Sequence, residues 1–256
     1  FVAITGDVNI LFTNASSVEM VHKLDKEFPD SSFCEIASDE YIVPVKEIRL
    51  ENIDFFWPGG EKLFDNFSGI IEANSITGII GHSGRGKTTL IDMIAGLQKP
   101  DSGRIKVDGK LLDDTLLPAW KSAIGYLPQD PFFIDGTLRE NLIWDSNSDI
   151  TDEEVMQILE QVNASHLVNR FNERLDTFIV NYQTSFSGGE CQRLALARVL
   201  LRKPGILLLD EATSSLDAEN EEMIMEVIKR LKKKVTIVFV THRISLLPWF
   251  DKVIKL

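Results

Sequence analysis

Apolar positions in the first 28 residues recur at helical spacing, at Ile4, Val8, Leu11, Ala15 and Val18. Asp7, Asn9, Thr13 and Asn14 fall among them and make the segment too polar for lipid. The pattern predicts an amphipathic helix that needs a partner surface. Phe28-Pro29-Asp30-Ser31-Ser32 ends it with turn chemistry, and residues 29–44 read as a linker. From Val45 the pattern changes to alternating strands and helices. Residues 48–53 alternate like a half-buried strand, 75–80 form a more buried one, and 87–95 read as a helix. A strand over 104–107 runs into an Asp108-Gly109 turn. Residues 137–169 are mostly helical in pattern, followed by a helix over 189–201, a buried strand over 206–209, a helix over 218–231 and a final β-branched strand over 235–240. This alternation predicts an α/β domain with a mainly parallel sheet.

Composition narrows the function classes. With 256 residues, 44% hydrophobic and 26% charged, the chain suits one large domain, or one domain with an appendage. Its formal net charge of −12 disfavours nucleic acid and anionic lipid as partners. Cys34 and Cys191 give no disulfide framework, and the four histidines lack zinc-ligand spacing. No apolar run approaches the ~20 residues that span a bilayer, and no signal peptide is visible. The chain begins at Phe1 and stops within a strand-like run at Leu256, so it reads as a fragment of a longer protein.

Three stretches carry chemistry. Gly81-His82-Ser83-Gly84-Arg85-Gly86-Lys87-Thr88, followed by Thr89, fits the phosphate-loop pattern G-x-x-x-x-G-K-[ST]. Glycines let the backbone approach phosphate closely, and the helix N-terminus attracts the anion. Lys87 supplies a point charge for the terminal phosphates, and Thr88 offers a hydroxyl to Mg²⁺. The apolar run 206–209 ends in Asp210-Glu211. Ligands of a parallel sheet sit at the carboxyl ends of its strands, so Asp210 is expected to face the metal and Glu211 to polarise the attacking water. Phe186-Ser187-Gly188-Gly189-Glu190 then places a second anion-binding backbone at a helix start, which one nucleotide in one domain does not need.

These stretches, together with Gln129 in Tyr126-Leu127-Pro128-Gln129-Asp130, with Ser215-Leu216-Asp217 and with His242, resemble the nucleotide-binding domain of ATP-binding cassette transporters. The likeness runs from about Val45 to the end. It implies a P-loop NTPase fold: a mainly parallel sheet core, an antiparallel β subdomain and a helical subdomain inserted near residues 131–189. It further implies ATP and Mg²⁺ as ligands and two domains closing head to tail around two ATP molecules. Ser187, Gly188, Gly189 and Glu190 would then act in trans on the nucleotide held by residues 81–89 of the other domain. Gln129 would touch Mg²⁺ beside Thr88 and Asp210 and report to the membrane domain. His242 would sit near the γ-phosphate, Asp217 at the dimer contact, and the Trp57 ring on adenine. Asp217 also reads as a plain helix N-cap. His22, His82 and His166 read as surface residues by themselves, His82 being drawn in only through the phosphate loop.

Residues 130–142 and Thr151-Asp152-Glu153-Glu154 resemble the exporter branch, and residues 14–25 resemble the cytoplasmic extension of an exporter's last membrane helix. The resemblance implies a motor domain at the cytoplasmic face of a membrane, with a transmembrane domain upstream in the same chain and no nucleic-acid partner. There are departures. Phe186 and Glu190 replace the usual Leu and Gln, and Arg85 adds a cation inside the phosphate loop. Val180-Asn181-Tyr182-Gln183 stands where exporters carry Gly-Glu-Arg-Gly at the membrane-domain contact. The rivals are a DNA-maintenance ATPase, a regulatory cassette that does not hydrolyse, and an importer or soluble cassette. The first lacks room for a coiled coil between Lys87 and Ser187. The second is disfavoured by Glu211 and His242, and the third by the N-terminal helix.

Overall fold

The computed structural model describes residues 42–57, 59–143 and 150–256. The helix expected over 1–28, and the linker up to residue 41, lie outside the described residues. In chain order the elements are β1 (Glu47–Phe56), β2 (Lys62–Glu72), β3 (Ile76–Ile80), α1 (Lys87–Ile94), β4 (Ser102–Val107), β5 (Lys110–Leu111), α2 (Leu117–Ser122) and β6 (Ile124–Leu127). There follow β7 (Gly136–Thr137), α3 (Leu138–Leu142), α4 (Asp152–Gln161), α5 (Ser165–Asn169), β8 (Phe178–Ile179), α6 (Tyr182–Ser185) and α7 (Gly188–Leu201). The chain closes with β9 (Ile206–Asp210), α8 (Ala218–Leu231), β10 (Thr236–Thr241) and β11 (Lys252–Lys255).

A five-stranded sheet in the order β11-β3-β10-β9-β6 is parallel throughout. A four-stranded sheet, β2-β1-β4-β5, is antiparallel. The parallel strands read as continuous apolar runs because both faces are covered. Leu207, Leu209, Ile237 and Phe239 point into one core with the helices α4, α5, α7 and α8. Their neighbours Ile206, Leu208, Val238 and Val240 point into the other, with α1 and the antiparallel sheet. Gly78 of β3 is required by the Phe250 ring, which a Cβ there would meet at 2.2 Å.

Helix starts follow local chemistry. Thr137, Thr151 and Ser187 each cap a helix and exchange hydrogen bonds with the Glu three residues on, at Glu140, Glu154 and Glu190. Asp217 caps α8 by accepting from the Asn220 N–H. The Asp108-Gly109 turn has φ of 51° and 83°, the twist that a tight hairpin between β4 and β5 needs.

The strand over 235–240 is followed by β11, which is the strand-like run expected at the end of the chain. Strands β2 and β6 and the short helix α2 lacked a clear period. In β2 only Phe64 and Ile71 are fully buried, and β6 has four residues including Gly125.

Asp54 knits the antiparallel sheet. It accepts from the Asn66 N–H at 2.9 Å, the Ser102 hydroxyl at 2.7 Å and Lys62 at 2.9 Å. The Asn66 backbone bond, then Ser102 and Lys62, hold its carboxyl at about 2. A carboxyl lowered on folding contributes stability above its unfolded value of ~4, and that stability is lost as the pH falls towards the folded value. Asp54→Asn should therefore lower the melting temperature near neutrality and flatten its decline between about pH 4 and pH 2. Thermal melts of both proteins across this range check it, and parallel curves would remove Asp54 from the acid limb.

Candidate functional site

The register of the parallel sheet assembles the site. Thr241 pairs with Ile80, and Val240 with Asp210. The three strand ends therefore present residues 81–86, Asp210-Glu211 and His242 at one edge. They border a cleft of about 630 Å³, lined by Gly81, His82, Ser83, Lys87, Glu211 and His242 with an apolar side from Ile80, Ile244 and Leu256.

Residues 81–86 connect β3 to α1 through a turn in which Gly84 and Gly86 take positive φ. Gly86, at φ 85°, caps α1, and a Cβ there would meet Leu63 and Phe64 of β2 within 3.0 Å. Lys87 is buried and folds back so that its Nζ donates to the His82 carbonyl at 3.1 Å. The same ammonium lies 3.9 Å from Glu211 Oε1, and His242 Nδ1 lies 3.4 Å from Glu211 Oε2. Glu211 occupies the left-handed region at φ 48°, fixed by its N–H to the Val240 carbonyl at 3.0 Å. That conformation costs a non-glycine residue about 1–2 kcal/mol, and such strain concentrates where a side chain must be aimed.

Asp210 is buried at 4% exposure. Desolvation pushes its carboxyl up, against a hydrogen bond from the Thr88 hydroxyl, and the neighbouring Glu211 charge pushes the same way as burial. A buried carboxylate beside a hydroxyl is the oxygen donor set that suits Mg²⁺, which takes one or two protein ligands and keeps the rest from water and substrate phosphates. Among the described residues no group of three or more His, Cys, Asp or Glu could hold a metal unaided.

The remaining candidates fall outside the cleft lining. Gln129 is exposed two residues beyond β6, which pairs with β9. Arg85, Gly84 and Thr88 are exposed and Thr89 is buried. The Trp57 ring is half exposed and meets Phe55 edge-on at 5.6 Å. It sits at the β1–β2 hairpin, whose Leu63 and Phe64 abut Gly86. His82 and His166 are exposed, and His22 lies outside the described residues.

Ser187, Gly188, Gly189 and Glu190 form the first turn of α7, away from the cleft lining. Arg170 bridges this turn, donating to Glu190 Oε1 at 3.2 Å and to the Ser185 carbonyl at 3.0 Å while stacking on Phe186. Burial raises the Glu190 carboxyl, but hydrogen bonds from Ser187 and the Arg170 charge prevail and hold it low. The Ser215–Asp217 segment packs beneath: a Cβ on Gly189 would meet Leu216 at 2.9 Å. Ile244 and Leu256 of the cleft carried no sequence signal, because the ends of β10 and β11 bring them there.

A buried strand, a glycine-rich loop and a helix, with an acidic residue ending a parallel strand one position removed in the same sheet, define a P-loop NTPase. A model of the ABC transporter family matches residues 64–214, more than half of the chain, and the chain belongs to that family. It is the ATP-binding domain of such a protein. The multidrug resistance ABC transporter ATP-binding and permease protein of Lactococcus lactis subsp. lactis is 36% identical over 208 residues, covering 81% of this chain and 35% of that protein. Mitochondrial ATP-binding cassette sub-family B member 10 of Mus musculus is 36% identical over 203 residues, covering 77% of this chain and 28% of that protein. The chain thus spans about a third of the length of these two relatives. The fold is also that of a bacterial Atm1-family ABC exporter with ATP bound, at a TM-score of 0.80 and 24% identity, over 95% of this chain and 42% of that one. Among the described residues no helix is long and apolar enough to cross a membrane.

Removing the buried Lys87 charge should cost MgATP affinity. A charge-assisted hydrogen bond of about 1.5–3 kcal/mol corresponds to roughly 10- to 100-fold weaker binding for Lys87→Ala. Titration with a fluorescent ATP analogue measures it, and an unchanged Kd would detach Lys87 from the nucleotide.

Proposed function

We propose that this domain is the ATP-driven motor of an exporter and works as one half of a head-to-tail pair closing around two MgATP. One observation carries the reading: the domain has two backbone anion sites, and only the one at residues 81–88 belongs to the cleft with Lys87, Glu211 and His242. Ser187, Gly188 and Gly189 do not line that cleft, so a phosphate held there would come from a nucleotide bound to another domain. Asp217, exposed beside this turn, would line the same contact.

Within each site the backbone of residues 81–86 and Lys87 hold the phosphates. Thr88 and Asp210 would hold Mg²⁺, with Gln129 approaching from β6. The metal, when bound, neutralises phosphate charge and aligns the terminal group. Glu211 accepts a hydrogen bond from the attacking water and aims it in line with the terminal phosphorus, and His242 donates to the γ-phosphate. Trp57 offers a ring face to adenine. Loss of the γ-phosphate removes the ligand shared with Ser187, and the pair opens. That cycle makes ATP a switch between open and closed dimers.

The relatives' names support transport as the output, and residues 130–142 with the Thr151 capping box support the exporter branch. A transmembrane domain upstream in the same chain would place this domain at the cytoplasmic face. Residues 45–256 form the nucleotide-binding domain in this reading, with residues 131–189 as its helical subdomain. The contact to the membrane domain would use the exposed Phe132, Phe178 and Val180.

The test is size-exclusion chromatography of Glu211→Gln with and without MgATP. The variant should bind ATP, hydrolyse it at least ~10²-fold more slowly and shift from monomer to dimer only with MgATP. Adding Ser187→Arg should abolish the shift while leaving ATP binding intact. A normal ATP-bound dimer in that double variant would count against the trans assignment, and unchanged turnover in Glu211→Gln would end its catalytic role.

A further inference from the structure

Arg243 directly follows the cleft residue His242, yet it does not line the cleft. Its Nη1 donates to Glu221 Oε1 at 2.6 Å, and its Nη2 donates to the carbonyls of Ser214 at 2.9 Å and Leu216 at 3.4 Å. Glu221, on the first turn of α8, is buried at 8% exposure, while the Arg243 side chain that reaches it is half-buried. A planar guanidinium spans three acceptors in fixed geometry, which a lysine cannot do.

The two carbonyls belong to the segment that follows Glu211 and underlies α7. Gly188 and Gly189 sit against Ser215 and Leu216 so closely that a Cβ on either would approach within 3.3 Å. A second strut joins the same helices: Arg193 of α7 donates to Asn220 Oδ1 at 2.6 Å, and Asn220 donates to Asp217 at 2.9 Å. A continuous set of contacts therefore runs from His242 through Arg243 and residues 214–216 to the turn at Ser187. Its upstream end lines the nucleotide cleft and its downstream end is the backbone anion site outside it.

We propose that Arg243 is the positioning residue that couples the two nucleotide sites of the closed pair, an inference that rests on the trans reading above. ATP contacting His242 sets the position of the following backbone. The guanidinium then carries that position to Ser214 and Leu216, and so to the Ser187 turn presented to the second copy. A domain with an empty cleft offers this turn in a poor position, so that filling one site favours closure at the other. Coupling of this kind is ordinarily worth about 5- to 150-fold in affinity.

Removing Arg243 alone would strand a buried carboxylate. The test therefore uses the paired variant Arg243→Met with Glu221→Met, which replaces the ion pair by apolar side chains of similar length, and Arg243→Lys, which keeps one charge and loses the fork. Both are made in the full 256-residue chain, with Glu211 intact and with Glu211→Gln. Both should melt within a few degrees of their parent and bind MgATP as monomers within about twofold, while the MgATP-dependent dimer weakens about tenfold or more and the Hill coefficient of hydrolysis falls towards one. A dimer as stable as the parent's overturns the inference. So does a parallel loss of melting temperature and monomer affinity, which would make the pair a support of the fold alone. If the Glu211→Gln parent itself stays monomeric with MgATP, the trans reading fails and the inference falls with it.

Discussion

The register of β10 between β3 and β9 is the constraint on which the rest of the site depends. Parallel pairing brings three carboxyl-terminal strand ends to one edge, and the residues that leave those ends are the phosphate loop, the acidic pair and His242. A slip of one residue would turn Leu207 and Leu209 out of one core and Ile206 and Leu208 out of the other, because side chains alternate with a period of two. Two fully buried cores thus hold the register, and the register holds the site. Phe250 against Gly78 adds a steric check on β3, since any side chain there would displace the ring.

The edge so formed is expensive for a protein to keep without ligands. Asp210 is desolvated, Lys87 is buried and satisfied by a carbonyl of its own loop, and Glu211 holds a left-handed backbone. Each feature opposes stability when considered alone. Together they suit a polyanion bound with a divalent cation, which would replace the internal contacts by charge-assisted ones. Local strain of this sort persists only because the surrounding sheet over-determines it.

The first turn of α7 shows how a departure from the family pattern is absorbed. An acid at position 190 places negative charge at the helix start where a second nucleotide's phosphate would bind. Here Glu190 closes a capping box with Ser187, and Arg170 neutralises it while stacking on Phe186, itself the other departure in this stretch. The two substitutions and Arg170 form one packed group. Asn181 and Tyr182, in the stretch that replaces Gly-Glu-Arg-Gly, are likewise anchored: the Asn181 N–H donates to Asp135 at 2.9 Å and the Tyr182 ring stacks on Phe133 and Phe186.

By itself the sequence determined the class of fold and pointed to Gly81, His82, Ser83, Lys87, Glu211 and His242, which the fold brings to one cleft. The phosphate loop, Asp210-Glu211, the Ser187 capping box and the apolar strands are local patterns, set by the chain's own backbone needs within a few residues, and so can be read along it. The strands β2 and β6 were not legible: β2 has no regular alternation of buried and exposed residues, and β6 is four residues long and pairs with the distant β9. Tertiary structure alone decided that Ile244 and Leu256 complete the cleft, that Lys87 rests on the His82 carbonyl, and that Arg243 grips Ser214, Leu216 and Glu221. Apart from the Lys87 bond within its own loop, those contacts join residues far apart in the chain, the Leu256 N–H donating to the Ile80 carbonyl at 2.9 Å. Their partners are chosen by the sheet's crossovers, for which no local pattern exists in the sequence.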